Sequence, residues 1–179
     1  MIIKKIKYLI YLVLALCFTS CGWQHLFEDW SVTLEHPIFT AYEKEMKKKR
    51  GYWTTLLGSS APNDDVRYLI MSFAGVYQTD IPQARRLYVE LVEGLVSKIN
   101  QNVRIRPYLH DYPATWRNTQ VGLRFEDRKG ERVKEPYIAY VFIAKEKIIY
   151  SIYHHKTGQF EEVYEELYVE ALKIIQEES

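Results

Sequence analysis

The chain has 179 residues, 24 Lys plus Arg against 23 Asp plus Glu, and two cysteines. So even a balance gives no global positive field and argues against nucleic acid as a partner. Two cysteines exclude a disulfide-rich scaffold, so an apolar core must carry the fold, and the length suits one domain.

Lys4, Lys5 and Lys7 precede an apolar run from Tyr8 to Phe18, and Thr19-Ser20-Cys21-Gly22 follow. A positive segment, a short apolar run and small residues before a cleavage point describe an export signal. The run is short for a helix spanning the ~30 Å bilayer core, and no basic stop-transfer cluster comes after it. Phe18-Thr19-Ser20-Cys21 resembles the lipobox of bacterial lipoproteins, with Phe18 where leucine is commonest. The resemblance implies removal of residues 1–20 and lipidation of Cys21, hence a membrane partner through the N-terminal lipid. A plain signal peptide or an uncleaved anchor is the alternative. Gly22, where an aspartate would imply retention at the inner membrane, implies the outer membrane, facing the periplasm. Cys17 would leave with the signal, so the mature chain would carry no free thiol and no disulfide. Loss of Lys4, Lys5 and Lys7 leaves 21 basic residues (24 less these three) against 23 acidic, a formal balance of −2.

Residues 21–60 are expected to form a lipidated tether and an amphipathic helix, and residues 61–179 an α+β domain. Trp23, Leu26, Phe27 and Trp30 make the tether too aromatic for a loose linker, suiting it to pack on the domain or at lipid headgroups. The first helix is expected from Pro37 to Arg50, with Phe39, Tyr42 and Met46 as its apolar stripe and Gly51 as its stop. Gly58 to Asp65 has loop composition. Val66–Tyr77 reads as a strand apolar on both sides and therefore covered or central. Asp80 caps a helix from Ile81 to Asn100, with Pro82 in its first turn. Ala84, Leu87, Tyr88, Leu91, Val92, Leu95 and Ile99 recur there at helical spacing.

Strands are expected at Val103–Leu109 and Thr119–Asp127. In the second, Gln120, Gly122, Arg124 and Glu126 alternate with apolar residues, so one face should meet solvent. Asp127–Glu131 is a polar turn. Tyr137–Ile143 and Lys147–His155 should pair as a hairpin through Ala144-Lys145-Glu146. A last helix is expected from Gly158 to Glu177, with Phe160, Val163, Tyr164, Leu167, Ala171, Leu172 and Ile175 buried. Glu161, Glu162, Glu165 and Glu166 would then stand in its opening turns, where the helix dipole favours anions. The resulting fold class is α+β: a two-layer sandwich with a mostly antiparallel sheet of four to five strands, two long helices and an extra N-terminal helix.

Chemistry-bearing residues are few. His154-His155 lie on successive strand positions and point to opposite faces, which does not suit a shared metal. His110-Asp111 sits between Pro107 and Pro113 in a connecting loop, without the third group an acid–base pair needs. Ser59-Ser60 lack a nucleophile elbow, and no phosphate loop or dinucleotide fingerprint is present. These absences point to a protein that is not an enzyme and needs no metal or cofactor. The basic run on the first helix, Lys44, Lys47, Lys48 and Arg50 with Trp53 beyond it, is the candidate membrane or partner surface. Its plainer reading is a solvated helix paired internally through Glu43–Lys47 and Glu45–Lys49.

Cys21-Gly22-Trp23 followed by strand, helix, strands and a final helix is similar in order to the small lipopolysaccharide-assembly lipoproteins of the outer-membrane translocon. That resemblance implies binding to a barrel protein or to lipopolysaccharide. The helix at Pro37–Arg50 departs from it. The expected function is a non-catalytic envelope lipoprotein, an interaction or assembly factor at a membrane surface with an envelope protein as its possible partner. The alternative is a lipid- or glycan-binding lipoprotein with a pocket between sheet and helices, and a hydrolase is a distant third. An exposed Tyr/Phe patch without a cavity would favour the first reading, and an apolar pocket with a few polar groups the second.

Overall fold

The computed structural model describes residues 30–178. The export signal, Cys21 and most of the tether lie outside the described residues. Helix α1 spans Trp30–Arg50 and strand β1 Trp53–Ser60. Strand β2 (Tyr68–Val76), helix α2 (Ile81–Gln101) and strand β3 (Thr119–Glu126) follow. Strands β4 (Tyr140–Ala144), β5 (Lys147–His154) and β6 (Gln159–Leu167) lead to helix α3 (Tyr168–Glu177). The fold is α+β, with one six-stranded sheet in chain order β1 to β6. Only β2 and β3 pair in parallel, joined by the α2 crossover, and every other pair is antiparallel.

Helix α1 starts earlier than proline placement predicts, with Pro37 inside it and one backbone hydrogen bond forgone. Its expected stripe of Phe39, Tyr42 and Met46 is buried at helical spacing, and Ile38 joins it. Gly51 stops it at φ +70°, a left-handed geometry that glycine adopts without strain. The N–H groups of Gly51 and Tyr52 then donate to the carbonyls of Lys47 and Met46. Helix α2 opens as the sequence indicates, with Asp80 Oδ1 accepting from the Gln83 N–H at 3.0 Å.

Alternation along each strand assigns two faces. Leu69, Met71 and Phe73 of β2 and Val121, Leu123 and Phe125 of β3 are buried beneath the helices. Tyrosines tie these layers together: the Tyr42 hydroxyl donates to the Leu91 carbonyl at 2.5 Å, and Tyr88 donates to Val121 at 2.8 Å. Tyr42 meets Phe73 edge to face, and Tyr168 of α3 stacks on Trp116 and donates to Glu93 of α2. Tyr42 and Met46 share one core with the rest of the sheet, so α1 is part of the globular unit. All three helices pack on this side.

Four expectations need correction. Trp53–Ser60 is an edge strand reaching into the stretch read as loop, and loop composition at Gly58-Ser59-Ser60 hid it. Val103–Leu109 is not a strand: Asn102 Oδ1 accepts from the Arg104 and Ile105 N–H groups, and Pro107 opens a short 3-10 turn at Arg106–Tyr108. A single bridge, Val66 to Leu109, is all the pairing that stretch makes. Gln159–Leu167 is strand β6 rather than the first half of a helix, so Phe160, Val163, Tyr164 and Leu167 are exposed instead of buried. The sheet therefore has six strands, not four to five, and the last helix is short.

The β4–β5 hairpin forms as expected, with β4 starting at Tyr140 rather than Tyr137 and Ala144 paired to Lys147. Lys145 and Glu146 take φ +48° and +69°, the doubly left-handed turn that matches the twist of paired strands.

Candidate functional site: the uncovered face of the sheet

With every helix on one side, the opposite face of the sheet has no covering layer among the described residues. Strand register places Trp53 beside Ala74, Leu56 beside Ser72, and Gly122 between Ser72 and Phe142 on that face. Arg124 stands opposite Tyr140, Ile149 opposite Phe142, and Tyr153 opposite Phe160. Leu56 is 55% exposed, Phe160 43% and Trp53 37%, so large apolar side chains meet solvent together. Surface patches of this kind mark contact sites in soluble domains.

The centre of the face is an aromatic row. Tyr140 stacks on Phe142 at 5.4 Å between ring centroids and lies 5.9 Å from Phe160, which in turn meets Tyr153 at 5.1 Å. Gly122 is what lets Tyr140 lie down. A Cβ there would sit 2.7 Å from the Tyr140 hydroxyl and 2.8 Å from Ser72 Oγ. Two open hollows flank the tyrosine. One, of about 290 Å³, is lined by Thr55, Leu56, Ser72, Phe73, Arg124, Arg132, Tyr140 and Phe160. The other, of about 390 Å³, shares Leu56, Ser72 and Tyr140 and continues to Ile70, Gln120, Phe142 and Ala144.

Two arginines mark one end of this face. Arg124 is bound to Glu126 at 2.6 Å. Arg132 comes from the β3–β4 connection, held near β3 by the Glu126–Arg132 bridge. Its guanidinium lies over the rings of Tyr153 and Phe160, 4.8 and 5.1 Å from their centroids. Nε of each arginine is buried without a hydrogen-bond acceptor.

The structure divides the basic surface expected from sequence. Lys44, Lys47 and Lys48 are exposed on the outer side of α1. Arg50 is not free: it pairs with Glu90 of α2, which also binds Lys49 at 2.6 Å. Burial alone would raise the Glu90 pKa, but hydrogen bonds from Lys49 and Arg50 outweigh it and hold the carboxyl below its ordinary value. Glu45 binds Lys98 of α2 at 2.7 Å, so the lysine–glutamate contacts run between helices, where the sequence suggests Glu45–Lys49 along one. Trp53 is on the uncovered sheet face, apart from the lysines.

The histidines also find partners the sequence does not suggest. His110 Nδ1 lies 2.8 Å from Asp65 Oδ2, not on Asp111, and the pair is exposed. His154 stands between Glu135 and Glu161 at 2.5 Å on each ring nitrogen, and the two carboxylates, Glu161 foremost, raise its pKa. His155 donates to the Arg132 carbonyl at 2.9 Å. Among the described residues no group of three or more His, Cys, Asp or Glu is arranged to hold a metal ion, and no helix is long and apolar enough to cross a membrane.

Sequence reasoning reached part of this face. Alternation in Thr119–Asp127 points Gln120, Gly122, Arg124 and Glu126 outward; Gln120 and Arg124 are at least partly exposed, whereas Gly122 and Glu126 are buried. It missed Arg132, which no periodicity marks, and it put Phe160 in a helix. Comparison with protein-family models, with curated proteins and with solved structures finds no match to the chain.

Proposed function

We propose that the chain is a non-catalytic bacterial envelope lipoprotein, anchored through Cys21, that works as an interaction or assembly factor through the uncovered face of its sheet. The observation that supports this reading is the face itself: a continuous aromatic and aliphatic surface, helix-free, ending in Arg124 and Arg132. The hollows on it are open rather than enclosed, which favours a contact surface over a deep ligand cavity. Exposed Lys44, Lys47 and Lys48 would face the headgroups of the membrane that carries the lipid, the periplasmic side of the outer membrane that the Cys21-Gly22 pair implies.

Photocrosslinking in the intact envelope tests this. A photoreactive side chain at Phe142 or Leu56 should yield a discrete adduct, while one at Lys173, on the exposed side of α3, should not. Equal labelling from both faces, or none from the sheet, would refute the assignment. Mass spectrometry of the same preparation should show an acylated N-terminal Cys21. A retained Met1, or an unmodified Cys21 thiol, would refute the anchor.

A further inference from the structure

We propose that the uncovered face takes a long-chain carboxylate, with its headgroup on Arg132 and its hydrocarbon laid along Tyr140, Gly122 and Ile70. The inference rests on the reading that this face is the binding surface and names the chemistry of its occupant.

Charge decides the headgroup. Two hollows hold both arginines: the one beside Tyr140 and Phe160 has no carboxylate in its wall, and the adjoining one adds Glu126 and Glu131. Arg124 is neutralised by Glu126. Arg132 has ring contacts but, among the described residues, no ion pair, although Glu131 lines the adjoining hollow with it. Arg132 is therefore the guanidinium of the two without an ion pair among the described residues, which suits a single negative charge. Its planar fork suits the two oxygens of a carboxylate. A partly covered arginine resting on aromatic rings, with Nε lacking an acceptor, is a group whose charge the protein itself leaves unmatched.

Backbone pairing decides the rest of the molecule. Strands β2, β3, β4 and β5 each have a neighbour on both sides, so the face they form presents side chains rather than an open strand edge. An extended peptide laid there would find no strand edge to pair its own amides. A hydrocarbon chain asks for no hydrogen bond. The two hollows join through Leu56, Ser72 and Tyr140 into one shallow groove running from Arg124 to Gln120 along β3. Four strand residues at ~3.3 Å each make this ~13 Å, room for one extended alkyl chain. Gly122 forms its floor, where any side chain would displace Tyr140.

The test uses the full chain in neutral-lipid nanodiscs, with empty nanodiscs as blank, titrated with carboxyl-labelled dodecanoate and followed by the carboxyl carbon resonance. Saturable binding is expected, with the bound carboxyl titrating at lower pH than the free acid. Arg132→Gln should weaken binding at least tenfold. Arg132→Lys, which keeps the charge, should weaken it less and guards against a folding defect. Acetate and dodecanol, each carrying half of the proposed ligand, should bind at least tenfold more weakly. No saturable binding, equal binding by Arg132→Gln, or equal binding of dodecanol would overturn the proposal. Sheet-face crosslinks to an envelope protein without dodecanoate binding would overturn it while leaving the contact-surface reading in place.

Discussion

Arg85 to alanine is the substitution with the largest expected effect outside the hydrophobic core. Arg85 of α2 gives its Nε–H to both oxygens of Glu166 on β6, at 2.8 and 3.0 Å. The Tyr150 hydroxyl donates to the same carboxylate at 2.5 Å. Both charged side chains are nearly covered, Arg85 at 11% exposure and Glu166 at 4%. Truncating the arginine leaves a buried carboxylate with one hydroxyl as its partner. Breaking a buried pair from one side costs ~3–5 kcal/mol, whereas an exposed pair is worth ~1 or less. At ~2–4 °C per kcal/mol for a domain of this size, the melting temperature should fall by ~6–20 °C. Thermal unfolding followed by circular dichroism reads this directly. The double variant Arg85→Met with Glu166→Leu should recover most of the loss, since the cost comes from the stranded charge and not from the missing attraction. A single-variant loss under ~1 kcal/mol, or a double variant worse than the single, would refute the reasoning.

Gly94→Ala should destabilise by ~1–3 kcal/mol, because its Cβ would sit 2.6 Å from the Tyr42 hydroxyl that is committed to Leu91. Combining it with Tyr42→Phe should lessen that penalty, and an unchanged unfolding midpoint in Gly94→Ala would count against the packing described. His154 should titrate above its ordinary 6.5, since Glu161 and Glu135 both bind the imidazolium. The stability it contributes is therefore complete below pH 6.5 and lost as pH rises through the raised pKa. An NMR midpoint at or below 6.5, or one unmoved by Glu161→Gln, would contradict the bridging geometry. Reversing Lys44, Lys47 and Lys48 to glutamate should abolish salt-sensitive binding of the domain to anionic vesicles with little change in thermal stability, because all three are exposed. Arg50 is left out of that variant because its pairing with Glu90 would confound the stability readout. Equal flotation of wild type and variant would show that the lysines are an ordinary solvated helix face.

Where local pattern and tertiary packing agree, the chain by itself is legible. Helix α2 is amphipathic at helical spacing, capped by Asp80 and opened by Pro82, and it stands within a residue of its expected end. The stripe of α1, the stop at Gly51, the β3 alternation and the β4–β5 turn are equally local. Each rests on dihedral preference or on periodicity over a few residues. Gln159–Leu167 is different. Its four glutamates and spaced aromatics satisfy a helical pattern, yet the segment is the edge of a sheet. What decides it is distant: Glu166 is claimed by Arg85 and Tyr150, and Glu165 by Lys147 across the ladder. Strand β1 was hidden for the converse reason, ending in Gly58-Ser59-Ser60 and held in the sheet by its register with β2. The uncovered face follows from these two strands together. Apolar periodicity reveals that a residue wants a neighbour, but not which layer supplies it. Only the placement of all three helices on one side left Tyr140, Phe142 and Phe160 without cover and brought Arg132 beside Arg124.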